Sequence, residues 1–272
     1  MKLTIITINY NNAEGLIRTL DSVAEQIWID FEHIIIDGGS QDNSVNIIHT
    51  YVDKYAEKYP IKWTSEPDTG VYNAMNKGIK MAVGEYCLFM NSGDCILSNN
   101  TLKQVNLHEC HSDLVVGYSI EEKTNRKITY NLKRLSLLEV MQFGISHQAT
   151  FVKRELFDKI GYYSEDLRVL ADCEFLFKCA LENITFENTG KCVALVEPDG
   201  LSNTMLDQIR AEGKKIKRVL PNSISEDYQF ILAQKDSYDV AKTWMKKTYH
   251  MYVLYSRINK MWNKLLKKIY GK

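Results

Sequence analysis

The chain has 272 residues, 45% hydrophobic and 25% charged, which suits one large α/β domain or a domain with an appendage and excludes low-complexity and fibrous classes. Basic and acidic residues balance at 34 each, so net charge points to no partner. The six cysteines (Cys87, Cys95, Cys110, Cys173, Cys179, Cys192) form no C-x-x-C pair, which excludes the common zinc spacings. No apolar run approaches the roughly 18 residues of a membrane span. Met1–Lys2 runs directly into an apolar stretch rather than a leader. The expectation is a cytoplasmic protein with free thiols.

In chain order, Leu3–Ile8 is an apolar, β-branched run that predicts a buried strand, followed by a polar turn at Asn9–Asn12. Glu14–Gln26 carries Leu16, Ile17, Leu20, Val23 and Ala24 on one helical face. Phe31–Ile36 predicts a second strand, ending at Asp37-Gly38-Gly39-Ser40. A helix over Ser44–Tyr59, a strand at Ile61–Ser65, a helix over Asn73–Val83 and a strand at Tyr86–Met90 follow. This alternation predicts a parallel sheet with helices on both faces. Three strands end in clusters of Asn, Asp, Ser and Gly, and such sheets bind ligands at their carboxyl ends. Beyond Leu114 the spacing predicts a ribbon from Val115–Ile120 and Lys127–Asn131. Helices are expected at Leu135–Gln142, Arg154–Ile160 and Ala171–Asn183, and a strand at Cys192–Val196.

Five clusters can carry chemistry. Thr7, Asn9, Tyr10 and Asn12 offer amides and backbone groups to a heterocycle edge, or else simply cap a helix. Asp37-Gly38-Gly39-Ser40, with Asp42 and Ser44, pairs a carboxylate with glycines that allow close backbone approach, or makes a turn and cap. Ser65–Gly70 is an acidic loop leading into a helix with Asn73, Asn76 and Lys77. Lys77 is either a phosphate contact or a solvated lysine. Asn91-Ser92-Gly93-Asp94 places a carboxylate just past a buried strand, where it suits a divalent cation or a polar turn. Asp172 opens an apolar helix as an N-terminal charge or as a general base.

Taken in order, these clusters resemble the family 2 glycosyltransferases. The resemblance rests on Thr4–Asn12, Ile34–Ser44, Glu66–Asp94, Gly144–Phe151, Gly161–Glu165, Ala171-Asp172 and Asp199–Ser202, and covers residues 3–215. It implies a GT-A fold: a Rossmann-like nucleotide-binding half with a mixed central sheet and helices on both faces. The division implied is a catalytic domain over 1–215 and a helical extension over 216–272. By resemblance, Thr7, Asn9 and Asp37 contact the base and ribose. Asp68 approaches the nucleotide and Lys77 lies near its phosphates. Asp94 holds a divalent metal (Mn²⁺ or Mg²⁺), and His147 and Gln148 sit near the acceptor or diphosphate. Asp172 is the base of a single-step inverting transfer from a nucleoside-diphosphate sugar, UDP being favoured. The acceptor implied is a hydroxyl of a glycan or lipid-linked glycan in cell-surface polysaccharide assembly. Two departures stand out. The family's acidic run is thinned to Asp94 alone, and the common Ala-Arg-Asn reads Ala74-Met75-Asn76.

Residues 241–272 carry nine basic residues and no acidic one, leaving 25 basic against 34 acidic before them. Leu254, Ile258, Met261, Trp262, Leu265 and Ile269 recur at helical spacing. Such a helix either lies on an anionic membrane surface or packs on the domain with a solvated basic face. The competing readings are a non-catalytic nucleotide-sugar-binding protein on the same fold and a nucleotidyltransferase. The latter wants a basic, Gly-rich phosphate loop after the first strand, which Asn9–Gly15 lacks. No nucleic-acid-binding module is recognised.

Overall fold

The computed structural model describes residues 1–128, 146–182, 184–198 and 205–217. The chain divides into two compact units, Met1–Lys214 and Lys215–Lys272. The basic tail lies outside the described residues, as does the helix expected at Leu135–Gln142.

The first half is βα alternation. Strand β1 (Leu3–Asn9) pairs in parallel with β2 (Phe31–Asp37) and β4 (Tyr86–Phe89), and β2 with β3 (Ile61–Ser65). Every residue of β1, β2 and β4 is buried, which explains why these strands read as continuous apolar runs rather than as alternation. Between them run α1 (Ala13–Ala24), α2 (Ser44–Tyr55) and α3 (Val71–Met81). Leu16, Leu20 and Ala24 of α1 meet Ile48 and Tyr51 of α2 over Ile35 of β2. On the opposite face, Gly78 brings α3 so close to β1 that a Cβ there would lie 2.4 Å from Ile6 Cγ2.

The second half mixes directions. The sheet runs β3-β2-β1-β4-β8-β6-β9-β5, with β7 on the outside of β6. Here β5 is Cys95–Ile96, β6 Leu114–Glu121, β7 Arg126–Ile128, β8 Thr150–Lys153 and β9 Phe186–Val196. The ribbon expected after Leu114 forms as the antiparallel β6–β7 pair. The short α4 (Thr101–Val105) follows β5. Helices α5 (Glu155–Ile160) and α6 (Ala171–Leu181) pack through Phe157, Tyr163 and Phe175 against Phe89 of β4, with ring centroids 4.9–6.2 Å apart. Helix α7 (Leu206–Lys217) follows β9. Among the described residues, no helix is long and apolar enough to cross a membrane.

Candidate functional site

The register of the parallel strands puts Asn9, Asp37 and Ser65 on one rung at the carboxyl end of the sheet. Their side chains are bonded together. Asp37 Oδ1 accepts from Asn9 Nδ2 at 2.8 Å and Ser40 Oγ at 2.6 Å, and Oδ2 from Ser40 N at 2.9 Å and Ser65 Oγ at 2.7 Å. Burial alone raises the Asp37 pKa, but the bonds from Ser40, Ser65 and Asn9 outweigh it and hold the carboxyl below its ordinary value. With four donors engaged, Asp37 cannot take a ribose hydroxyl without giving one up. It fixes the turn that presents Gly38. Asn9 keeps Oδ1 buried without a partner among the described residues.

The nucleotide contact expected of Thr7 is not what the structure shows. One step inward along the same face, its hydroxyl is fully buried and bonds His33 Nε2 at 2.9 Å. His33 Nδ1 meets Tyr51 Oη at 2.9 Å, and Tyr51 Oη meets Tyr59 Oη at 2.7 Å. Burial pushes His33 down to about 3, so this interior chain stays neutral. Lys77 is also engaged elsewhere. Its ammonium pairs with Glu66 at 2.8 Å and donates to Pro67 O at 3.1 Å, pinning the 66–67 loop.

That loop delivers Asp68 to the cleft. A Cβ at Gly38 would lie 2.5 Å from Asp68 Oδ2 and 3.2 Å from the Tyr10 ring, so these three converge. The Tyr10 side chain is 64% exposed. The result is a flat aromatic face beside a carboxylate and a bare backbone, a combination able to stack and bond a heterocycle.

Asp94 and Asp172, far apart in sequence, are joined by a single 3-10 turn, His147–Ala149. Gln148 Nε2 donates to Asp94 Oδ2 at 2.8 Å, and the Glu197 amide to Asp94 Oδ1 at 3.1 Å. His147 Nδ1 lies 3.3 Å from Asp172 Oδ2, while Asn91 Nδ2 lies 3.1 Å from His147 Nε2. The imidazole thus bridges Asn91 and Asp172. Asp172 Oδ1 accepts from the Cys173 amide at 2.8 Å and lies 3.1 Å from Tyr72 Oη, which shares its one proton with Val169 O. Among the described residues Oδ2 bonds only His147, which leaves it a free lone pair. Asp172 stands as the second residue of α6 rather than as its cap.

The loop before α6 is clamped. Glu212 of α7, fully buried, accepts from the amides of Arg168, Val169 and Leu170 at 2.7, 3.0 and 3.0 Å. Tyr72 Oη donates to Val169 O at 2.6 Å. Burial alone raises the Glu212 pKa, but the bonds from Gln208 and these amides outweigh it and hold it below its ordinary value. Sequence reasoning missed Tyr72, Asn91, Glu197 and Glu212. Each acts through a partner more than forty positions away, which no local pattern reveals.

A Rossmann-like half continued by a mixed sheet, with two acidic residues at its carboxyl edge, defines a GT-A glycosyltransferase fold. The description "Glycosyl transferase family 2" matches residues 4–170, and the chain belongs to that family. A "PGL/p-HBAD biosynthesis glycosyltransferase" of Mycobacterium tuberculosis is 36% identical over 214 residues, covering 75% of this chain and 80% of the relative. Among solved structures, Staphylococcus aureus TarS 1–349 in complex with UDP-GlcNAc superposes with a TM-score of 0.62 at 22% identity. That match covers 74% of this chain and 59% of TarS 1–349, less than two thirds of it. The mannosyltransferase PcManGT from Pyrobaculum calidifontis in complex with GDP-Man and Mn²⁺ gives a TM-score of 0.55 at 17% identity, covering 71% of this chain and 56% of that one. At these identities the structures bear on the fold alone.

The family implies a divalent cation. Among the described residues, no three His, Cys, Asp or Glu side chains converge to cage one. Asp94 does fit a narrower role. It is a buried carboxylate whose two bonded partners are neutral, and burial pushes its pKa up. A hard cation held by one carboxylate, its shell completed by diphosphate oxygens and water, suits that donor.

Proposed function

We propose that the chain is an inverting glycosyltransferase. It moves a sugar from a nucleoside-diphosphate sugar, UDP-linked, to a hydroxyl of a glycan or lipid-linked glycan in cell-surface polysaccharide assembly. The observation that carries this is the His147-Gln148 turn, which couples the metal-site carboxylate and the base through adjacent side chains. The base of the nucleotide stacks on Tyr10, with Gly38 and Asp68 beside it and Asn9 and Asp37 organising the strand ends. The UDP-GlcNAc of TarS, the GDP-Man and Mn²⁺ of PcManGT and the PGL/p-HBAD biosynthesis named for the mycobacterial relative support the reading.

In the reaction, Asp172 Oδ2 takes the proton of the acceptor hydroxyl. The freed oxygen attacks the anomeric carbon from the face opposite the diphosphate, and the bond to the diphosphate breaks with inversion. His147 and Tyr72 hold the carboxylate in place for this step, and positioning donor and acceptor together lowers the barrier further. A cation at Asp94 supplies Lewis-acid stabilisation of the leaving diphosphate. The basic tail at 241–272 places the protein on the inner membrane face, near a lipid-linked acceptor. Failure of the full chain to sediment with anionic vesicles sinks that placement.

The test is a thermal-shift screen against UDP-, GDP- and dTDP-sugars with and without Mn²⁺, since a ligand that binds only the folded state raises its stability. A UDP-sugar shift that needs Mn²⁺ and vanishes in Asp94→Ala is expected. Asp172→Asn keeps the shift and loses transfer. Loss of the shift in Asp172→Asn with transfer intact refutes the assignment of the base.

A further inference from the structure

Tyr72, whose hydroxyl lies 3.1 Å from Asp172, also lines a cleft of about 100 Å³. Thr69, Asn73, Glu165 and Arg168 supply its polar wall, and Leu167 and Met205 its apolar one. Glu165 is fixed there: its oxygens accept from Asn73 Nδ2 at 2.8 Å and Asn76 Nδ2 at 2.9 Å, and these bonds hold its pKa below the ordinary value. Each oxygen keeps a lone pair free.

Arg168 is equally fixed through its backbone. Glu212 grips its amide, and Tyr72 grips the carbonyl of the next residue. Yet its guanidinium has no carboxylate within ion-pair distance among the described residues. With its backbone held on both sides, Arg168 keeps its guanidinium available to a ligand on the cleft wall.

The wall alternates donors (Arg168, the Asn73 amide) with acceptors (Glu165, the Asn73 carbonyl), with the Thr69 hydroxyl able to serve as either. Hydroxyls on adjacent ring carbons each donate and accept, and the C–H face of a sugar ring packs on apolar side chains such as Leu167 and Met205. The mixture of fixed carboxylate and free guanidinium favours a neutral polyol over an anion, which Glu165 repels.

We propose that this cleft is an acceptor subsite for a neutral pyranose ring. Tyr72 both lines the cleft and reaches to 3.1 Å from Asp172, so the bound ring is the neighbour of the sugar whose hydroxyl attacks. The acceptor is therefore at least a disaccharide or its lipid-linked equivalent. This rests on the glycosyltransferase reading above.

The experiment uses the full-length protein and saturation-transfer NMR with methyl pyranosides of glucose, galactose, mannose and rhamnose, with and without saturating UDP and Mn²⁺. At least one glycoside is expected to give a signal that persists under UDP. In Arg168→Ala its affinity falls about tenfold, the worth of one hydrogen bond to a charged group, and in Asn73→Ala about fivefold, that of a neutral one. The UDP thermal shift stays at the wild-type value in both variants, which also reports that they fold. A glycoside signal that UDP displaces and the variants leave alone overturns the proposal, because the ring then sits in the donor site. Arg168-dependent binding of inorganic phosphate with no glycoside signal overturns it in favour of an anion site. No glycoside signal beside an intact UDP shift overturns the subsite alone, and loss of both removes the glycosyltransferase reading as well.

Discussion

Glu212 gives the sharpest test of how the fold holds Asp172, the proposed base. Glu212→Gln keeps size and shape but replaces one acceptor oxygen with an amide nitrogen and removes the charge. In the wild type, three amides and Gln208 Nε2 converge on the carboxylate at 2.6–3.0 Å. The glutamine oxygen can keep the Val169 and Leu170 amides, which share Oε2, only by turning its NH₂ toward the Arg168 amide and Gln208. One or two donors then lose a charged acceptor in a buried setting, a cost of about 2–4 kcal/mol. For a unit of this size that is a fall in Tm of about 5–12 °C. The loop that loosens carries Asp172 two residues on, and a displacement of the base by an ångström costs up to about a hundredfold in rate. The variant is therefore expected to lose kcat by about 10–100-fold at an unchanged KM for the donor. The pH dependence has a definite sign. The folded-state pKa of Glu212 lies below its ordinary 4.5, so its contribution is complete above that value and is lost as pH falls through the folded-state pKa. The gap in Tm between wild type and Glu212→Gln is widest at neutral pH and closes in acid. A variant within 1 °C of wild type at pH 7, with kcat intact, refutes the clamp.

His147→Ala removes the partner of Asp172 Oδ2, and kcat should fall about 10–100-fold with donor affinity retained; an unchanged kcat refutes the positioning role. Gly38→Ala drives a Cβ to 2.5 Å from Asp68 Oδ2 and against Tyr10, so the UDP thermal shift should drop by at least about half, in the way that loss of binding affinity lowers ligand-linked stability. A wild-type shift would move the nucleotide away from that corner. Lys77→Met removes an exposed ion pair worth under about 1 kcal/mol, so stability should hold while the loop slackens and the KM for the donor rises a few-fold. A collapse of kcat instead would restore Lys77 to the diphosphate.

The parallel half of the fold was legible because β1, β2 and β4 are buried along their whole length and its turns are written in Asn, Asp, Ser and Gly. In the second half the β6–β7 ribbon, α5, α6 and the end of β9 were legible, but β5, β8 and the start of β9 were not. β8 is four residues and β5 two, and the first half of β9 (Phe186–Lys191) is polar and mostly exposed or half-buried, so no periodicity marks them. The site shows the same division. Asp94 and Asp172 could be named because their motifs are local, but what each does depends on a turn that touches both. Residue type alone did not show what Thr7 and Lys77 bond within the fold. A threonine two places inside a strand end shares the face of the site yet belongs to the interior, and a lysine beside an acidic loop pairs with that loop first.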